Sequence, residues 1–298
     1  MSLRAELVRL GLRSLVKRKG NGATTVEAWR GRVAALRWLV PRPPKGTEVS
    51  RVHLDGVKAI AVTTPEALDG RHILYLHGGG HVSGSPSLYR DFIWRIGAAT
   101  RSRAFILDHR LAPEHPFPAA LDDAVAAYLQ LLADGADPRR VAVLGESSGG
   151  GLVLSMLLKL RDRSLPLPAA AAALSPWTDL ALTGRSLAQN AEADPMLRSQ
   201  DAAGFAACYL AGADPRTPYA SPLYGDPSGL PPTLIQVGSD EILLDDSVRM
   251  AERMRAAGCR VELEIWPRMP HGWHMWARVM PEARAAIARI GDFVQGSM

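Results

Sequence analysis

Residues 141–151 read VAVLGESSGGG, a short apolar run that breaks into two serines fenced by glycines. Neither hydroxyls nor glycines improve packing at the end of a buried strand, so the run calls for another explanation. It fits G-x-S-x-G, a sharp strand-to-helix turn that presents one serine, here Ser147, while the glycines keep neighbouring side chains clear. A serine hydroxyl is a poor nucleophile at neutral pH. A histidine must remove its proton, and a carboxylate must fix the imidazole tautomer and stabilise its cation. Attack on an acyl carbonyl then creates an oxyanion, which backbone N–H groups must meet at close range.

The chain carries each of these parts. His77-Gly78-Gly79-Gly80 can supply donors at Gly78 and Gly79, and the backbone of Ser148 adds a third. An acid follows in Ser239-Asp240-Glu241, and RMPHGWH holds His271. Serine, acid and histidine therefore occur in the chain order that the turn motif requires. By residue frequency, HGGG and G-x-S-x-G coincide in a chain of this composition on the order of once in a thousand.

Each part follows an apolar run of strand length. The runs are HILYLH, AFILD, VAVLG, AAAAL, TLIQVG and VELEIW, preceded by RVHLDGVKAIAVTT, which reads as two strands joined at Asp55-Gly56. Runs apolar on both faces, separated by helical segments, predict a mostly parallel eight-stranded α/β sheet covered by helices on both sides. Ligands in such sheets sit beyond the carboxyl ends of the strands, where these residues lie. The alternation fails over 1–45, which reads as two helices, and over 183–223. These two segments are expected to pack together as a lid on a core made of 46–182 and 224–298.

Composition narrows the classes. A chain of 298 residues with 47% apolar residues can bury one large core. The net charge of +5 is carried by scattered arginines, which argues against nucleic acid. The one basic cluster, Lys17, Arg18 and Lys19, follows leucines at helical spacing and reads as the end of a surface helix. No apolar run is long enough for stable membrane insertion and no secretion signal is apparent, so a cytoplasmic protein with reduced Cys208 and Cys259 is expected. His77 and His81 are separated by glycines rather than set on a helix, and HGWH lacks the H-E-x-x-H frame, so no metal site is expected.

HGGG, HRLAPEHPFPAALDD, GESSGG, SPWTDL, GSDEILLDD and MPHGWH, in that order, resemble the bacterial hormone-sensitive-lipase family, the family IV esterases. The match runs from about Arg71 to the C-terminus. The resemblance implies an α/β-hydrolase fold with a helical cap, hydrolysis of short-to-medium acyl esters through an acyl-enzyme, no cofactor, a small ester as substrate and a homodimer. It assigns Ser147 as nucleophile, Asp240 as acid, His271 as base, and Gly78, Gly79 and Ser148 as the oxyanion hole. Glu241, Asp245 and Asp246 compete with Asp240, the last two being suited to the start of a helix. His274 competes with His271 but is expected to open the last helix. His81 replaces the usual aromatic residue after HGGG and is expected to face the pocket. Trp177 and Trp273 flank strand ends and either line the site or fill the core. Trp29 and Trp38 are expected to pack within the cap. Asp108, Arg110 and Glu114 read as an ion-pair brace beside HGGG rather than as a carboxylate-binding set. Amide hydrolysis would use the same parts. A catalytically silent receptor on this fold would be expected to lack the base.

Overall fold

The computed structural model describes residues 1–17, 24–36 and 40–298. Trp38, Arg18 and Lys19 lie outside the described residues. Eight strands form one sheet in the order β1-β2-β4-β3-β5-β6-β7-β8. β1 (Glu48–Leu54) and β2 (Val57–Thr63) pair antiparallel around Asp55 and Gly56. Both turn residues have positive φ (48° and 77°), the geometry that lets a two-residue turn follow the strand twist. β2 pairs antiparallel with β4 (Arg103–Leu107). From there the sheet is parallel through β3 (His72–Leu76), β5 (Val141–Glu146), β6 (Ala170–Leu174), β7 (Thr233–Gly238) and β8 (Val261–Trp266).

Every residue of β5, β6 and β7 is buried, which is why these stretches read as unbroken apolar runs. Successive side chains divide between two cores. Leu74 and Leu76 join α4 (Ala119–Ala133), α5 (Ser148–Asp162) and α8 (Leu244–Ala256), whereas Ile73 and Tyr75 join α3 (Arg90–Thr100) and α9 (Pro281–Gln295). Trp273 is wholly buried in the second core, packed on His274 and Trp266. Of the two roles open to it, core filling is the one it has. His274 does not open the last helix. It lies in a 3-10 turn, Trp273–Trp276, and its Nε2 meets Gln236 Oε1 at 2.9 Å.

Two segments stand outside the alternation of strands and helices. One carries α1 (Leu3–Leu15) and α2 (Val26–Leu36); the other, between β6 and β7, carries α6 (Ser186–Gln189) and α7 (Ser199–Leu210). They touch one another. Lys17 Nζ donates to the Asp194 carbonyl at 2.7 Å, the Thr24 N–H donates to Asp201 Oδ1 at 2.6 Å, and the Trp29 and Phe205 rings lie 5.7 Å apart. The brace expected beside HGGG is two separate pairs. Arg110 grips Asp123 through both Nε and Nη2, and Glu114 pairs with Arg30 of α2. Among the described residues no helix is long and apolar enough to cross a membrane.

The crossing of β3 and α5 depends on Gly149. A Cβ there would overlap the carbonyl oxygens of Leu76 and His77, which are backbone atoms with no room to yield. Gly149→Ala is expected to cost about 2 kcal/mol or more by overpacking, read as a lower denaturant midpoint. Gly204→Ala in α7 meets nothing within 4 Å and is expected to be neutral or to stabilise by up to about 1 kcal/mol. Equal effects of the two substitutions would contradict this packing.

Candidate active site

β5 ends at Glu146, and Ser147 turns the chain into α5 with φ 57° and ψ −126°. A left-handed φ in a residue with a Cβ stores strain, so the turn has to be fastened on both sides. The Ser147 N–H donates to Leu174 O at 2.8 Å, and its carbonyl accepts from Trp177 N at 3.0 Å and Gly151 N at 3.1 Å. The N-terminus of α5, fifteen residues long, therefore opens at this serine. Ser147 is only 8% exposed. Ser148 turns inward, and its Oγ accepts from the His81 N–H at 3.1 Å.

His271 lies on the loop after β8 and is buried. Its Nδ1 meets Glu241 Oε2 at 2.7 Å. The other Glu241 oxygen accepts from Ser175 Oγ at 2.7 Å and Gly238 N at 2.6 Å, so this carboxylate is fully buried yet fully bonded. Burial raises the Glu241 carboxyl, and its three donors oppose that rise. His271 Nε2 lies 3.3 Å from Glu146 Oε1. Burial works to lower the imidazolium, but the hydrogen bonds and charges of Glu146 and Glu241 outweigh it and push His271 up to about 10.

Asp240, expected as the acid, does not meet His271. Asp240 points the opposite way, toward α1, where Oδ2 pairs with Arg9 Nη1 at 2.7 Å and Oδ1 accepts from Ser239 Oγ at 2.9 Å. The two acids are neighbours in the turn after β7, and the turn sends consecutive side chains to opposite sides. Asp245 and Asp246 are in the first turn of α8, as their sequence suggests. Asp246 is spent on the N–H groups of Thr178 and Asp179.

Gly78, expected as an oxyanion donor, has its N–H engaged. Its N–H already donates to the Tyr89 hydroxyl at 3.1 Å, and that hydroxyl donates to Glu146 Oε2 at 3.0 Å. Among the described residues, the N–H groups of Gly79, Gly80 and Ser148 donate to no protein acceptor. Gly79 (φ 122°) and Gly80 (φ 67°) hold backbone angles that favour glycine, and a Cβ on Gly80 would come within 2.8 Å of Phe205 of α7. Tyr89 and Glu146 together join the HGGG loop to His271; the sequence marks Glu146, since the elbow of the resembling family commonly reads GDSAGG, but gives no mark of Tyr89.

His81 stacks on Tyr209 of α7, with ring centroids 3.7 Å apart, and lies 6.1 Å from Trp177. Burial pulls its imidazole down to about 3, so it is neutral at ordinary pH. Among the described residues, no group of three or more His, Cys, Asp or Glu is arranged to hold a metal ion.

Residues 73–275 match the sequence family described as the alpha/beta hydrolase fold. The chain is 47% identical over 231 residues to an acetyl-hydrolase of Streptomyces hygroscopicus, covering 78% of this chain and 77% of that protein. It superposes with a TM-score of 0.94 on an esterase from the bacterial hormone-sensitive lipase family, 42% identical and covering 100% and 99% of the two chains. The same TM-score relates it to EstE5 soaked with p-nitrophenyl butyrate, at 40% identity over 100% and 99% of the two chains.

The contact between Nδ1 and Glu241 predicts a strongly deshielded Nδ1–H proton in the NMR spectrum of the protein. That resonance is expected to vanish in Glu241→Gln or move far upfield, and to persist in Asp240→Asn. The reverse pattern would return the acid to Asp240.

Proposed function

The chain belongs to the bacterial hormone-sensitive-lipase family of α/β-hydrolases and is a carboxylic ester hydrolase; from that premise we propose that Ser147 is its nucleophile, His271 its base and Glu241 the carboxylate that orients the base. The observation that carries this reading is the bond from His271 Nδ1 to the buried Glu241 carboxylate. It fixes the tautomer, directs Nε2 toward the residue that precedes Ser147, and stabilises the cation formed when Nε2 takes the serine proton.

The reaction then follows in two halves. Ser147 Oγ attacks the ester carbonyl as its proton passes to Nε2, and the carbonyl oxygen gains charge. The free N–H groups of Gly79, Gly80 and Ser148 are the donors for that oxyanion, assisted by the α5 N-terminus. His271 returns the proton to the leaving alkoxide, and water repeats the sequence on the acyl-enzyme.

The same proposal includes the roof. The N-terminal helices and the 183–223 segment form the cap, which meets the HGGG loop where Phe205 abuts Gly80 and Tyr209 stacks on His81. Rings of His81, Trp177, Phe205 and Tyr209 give an apolar, sterically limited surface suited to short-to-medium acyl groups. The butyrate ester soaked into EstE5 is of that size.

On p-nitrophenyl esters from acetyl to dodecanoyl, Ser147→Ala is expected to abolish turnover while remaining folded. Glu241→Ala is expected to lower kcat/KM by about 10³- to 10⁴-fold, against less than about tenfold for Asp240→Ala. Because only the neutral imidazole accepts the serine proton, a raised His271 makes kcat/KM climb with pH on the alkaline side of the usual histidine value of about 6.5. Full activity in Ser147→Ala, or a plateau already reached in mild acid, would contradict the assignment.

A further inference from the structure

Glu146 takes no part in the proposed reaction, yet it is in contact with Nε2 of His271. Its carboxylate is buried to 6% exposure and is divided between two partners. Oε2 accepts from the Tyr89 hydroxyl at 3.0 Å, and Tyr89 is held in turn by the Gly78 N–H at 3.1 Å. Oε1 lies 3.3 Å from His271 Nε2. Space on this side is tight, since a Cβ on Gly272, next to the histidine, would come within 3.0 Å of Glu146 Oε1. A chain of contacts therefore runs from the HGGG loop through Tyr89 and Glu146 to Nε2, and from Nδ1 to Glu241.

Nε2 has one in-plane position, for a proton or a lone pair, and Ser147 Oγ requires that position. We propose that Glu146 is a positioning residue for the base: anchored by Tyr89, its carboxylate competes with Ser147 for Nε2 of His271, so the imidazole serves the serine only by releasing Glu146. The inference rests on the reading of Ser147 and His271 given above. The proton balance is simple. An imidazole held between two carboxylates carries a proton on each nitrogen and cannot accept a third; its Nε2 proton leaves to solvent, the lone pair takes the Ser147 proton during attack, and that proton then passes to the leaving alkoxide.

The charged and titratable groups around the pair come from every side. Glu241 follows β7, Tyr89 precedes α3, Tyr75 of β3 lies 5.5 Å behind Tyr89, and His274 shares the His271 loop. His274 is held near 3 by burial and by His271 itself, and the tyrosines are raised by burial, so none of these three carries charge at neutral pH. Glu146 and Glu241 are thus the two carboxylates in contact with the histidine. Either substitution at Glu146 alters that balance in a defined direction.

The test is an NMR pH titration of His271 in the full chain with isotopically labelled histidine, set beside the pH dependence of kcat/KM on p-nitrophenyl acetate. Glu146→Gln keeps the size and an acceptor for Tyr89 but removes the charge. It is expected to lower the pH at which His271 titrates by about one unit or more, with the rising limb of kcat/KM moving the same way. Glu146→Asp keeps the charge and withdraws it by one methylene. Since Asp is the usual residue here in the resembling family, this variant carries the test if the Gln form fails to fold, and its shift is expected in the same direction but smaller. A His271 titration unchanged in both variants, or one that moves while the kcat/KM limb stays in place, would overturn the proposal. Turnover retained by Ser147→Ala would defeat the nucleophile assignment instead, and the His271 titration would still answer for Glu146.

Discussion

The left-handed backbone at Ser147 is the constraint around which the rest of the molecule is arranged. A residue with a Cβ occupies that region only when its surroundings hold it there. Here β6 supplies an acceptor for the Ser147 N–H, the segment after β6 supplies a donor for its carbonyl, and α5 begins at once. The glycines follow from this geometry. Gly145 and Gly149 lie against each other across the turn, Gly149 lies under the end of β3, and Gly151 lies under the Trp177 carbonyl, so side chains at these positions would push the turn apart. The two serines differ accordingly. Ser147 is set on the strained residue, while the Ser148 hydroxyl is tied to the loop that carries His81.

Sheet topology converts this local turn into a site. β3, β5, β7 and β8 are parallel, so HGGG, Ser147, Glu241 and His271 all emerge at one edge, where the strands end. β7 and β8 are neighbours, which brings Glu241 and His271 within a single hydrogen bond. Gly238, the last residue of β7, then performs two tasks. Its N–H fixes Glu241, and its lack of a Cβ lets the Met269 carbonyl of the histidine loop pass beside it. The result is an imidazole with a buried carboxylate near each nitrogen, an arrangement that favours its cation.

Most of the scaffold was legible in the sequence because its signals are strong and local. The six apolar runs and both halves of RVHLDGVKAIAVTT became strands; β5, β6 and β7 are buried throughout, β1 is mostly exposed and β8 half-buried, and Asp55-Gly56 encoded its own turn. Ser147 and His271 were proposed from frame and order, and the structure sets both beyond strand ends at one edge of the sheet. Which of Asp240 and Glu241 meets His271 was not legible, because it depends on how one turn orients two adjacent acids, and Arg9, which pairs with Asp240, is over two hundred residues distant in the chain. The Gly78 N–H was assigned to the oxyanion because nothing local shows that Tyr89 claims it. Trp273 and His274 illustrate the same limit. A residue next to the His271 loop can face either the candidate site or the core behind it, and these two fill the core.

The most direct test of the account is to trap the covalent intermediate and map it. After acid quench during turnover of p-nitrophenyl butyrate, mass spectrometry of the peptide spanning the turn is expected to find the butyryl group on Ser147. It should be absent from His271→Ala treated in the same way. A butyryl group on Ser148, or turnover without any acylated residue, would contradict the claim that this strained serine performs the chemistry.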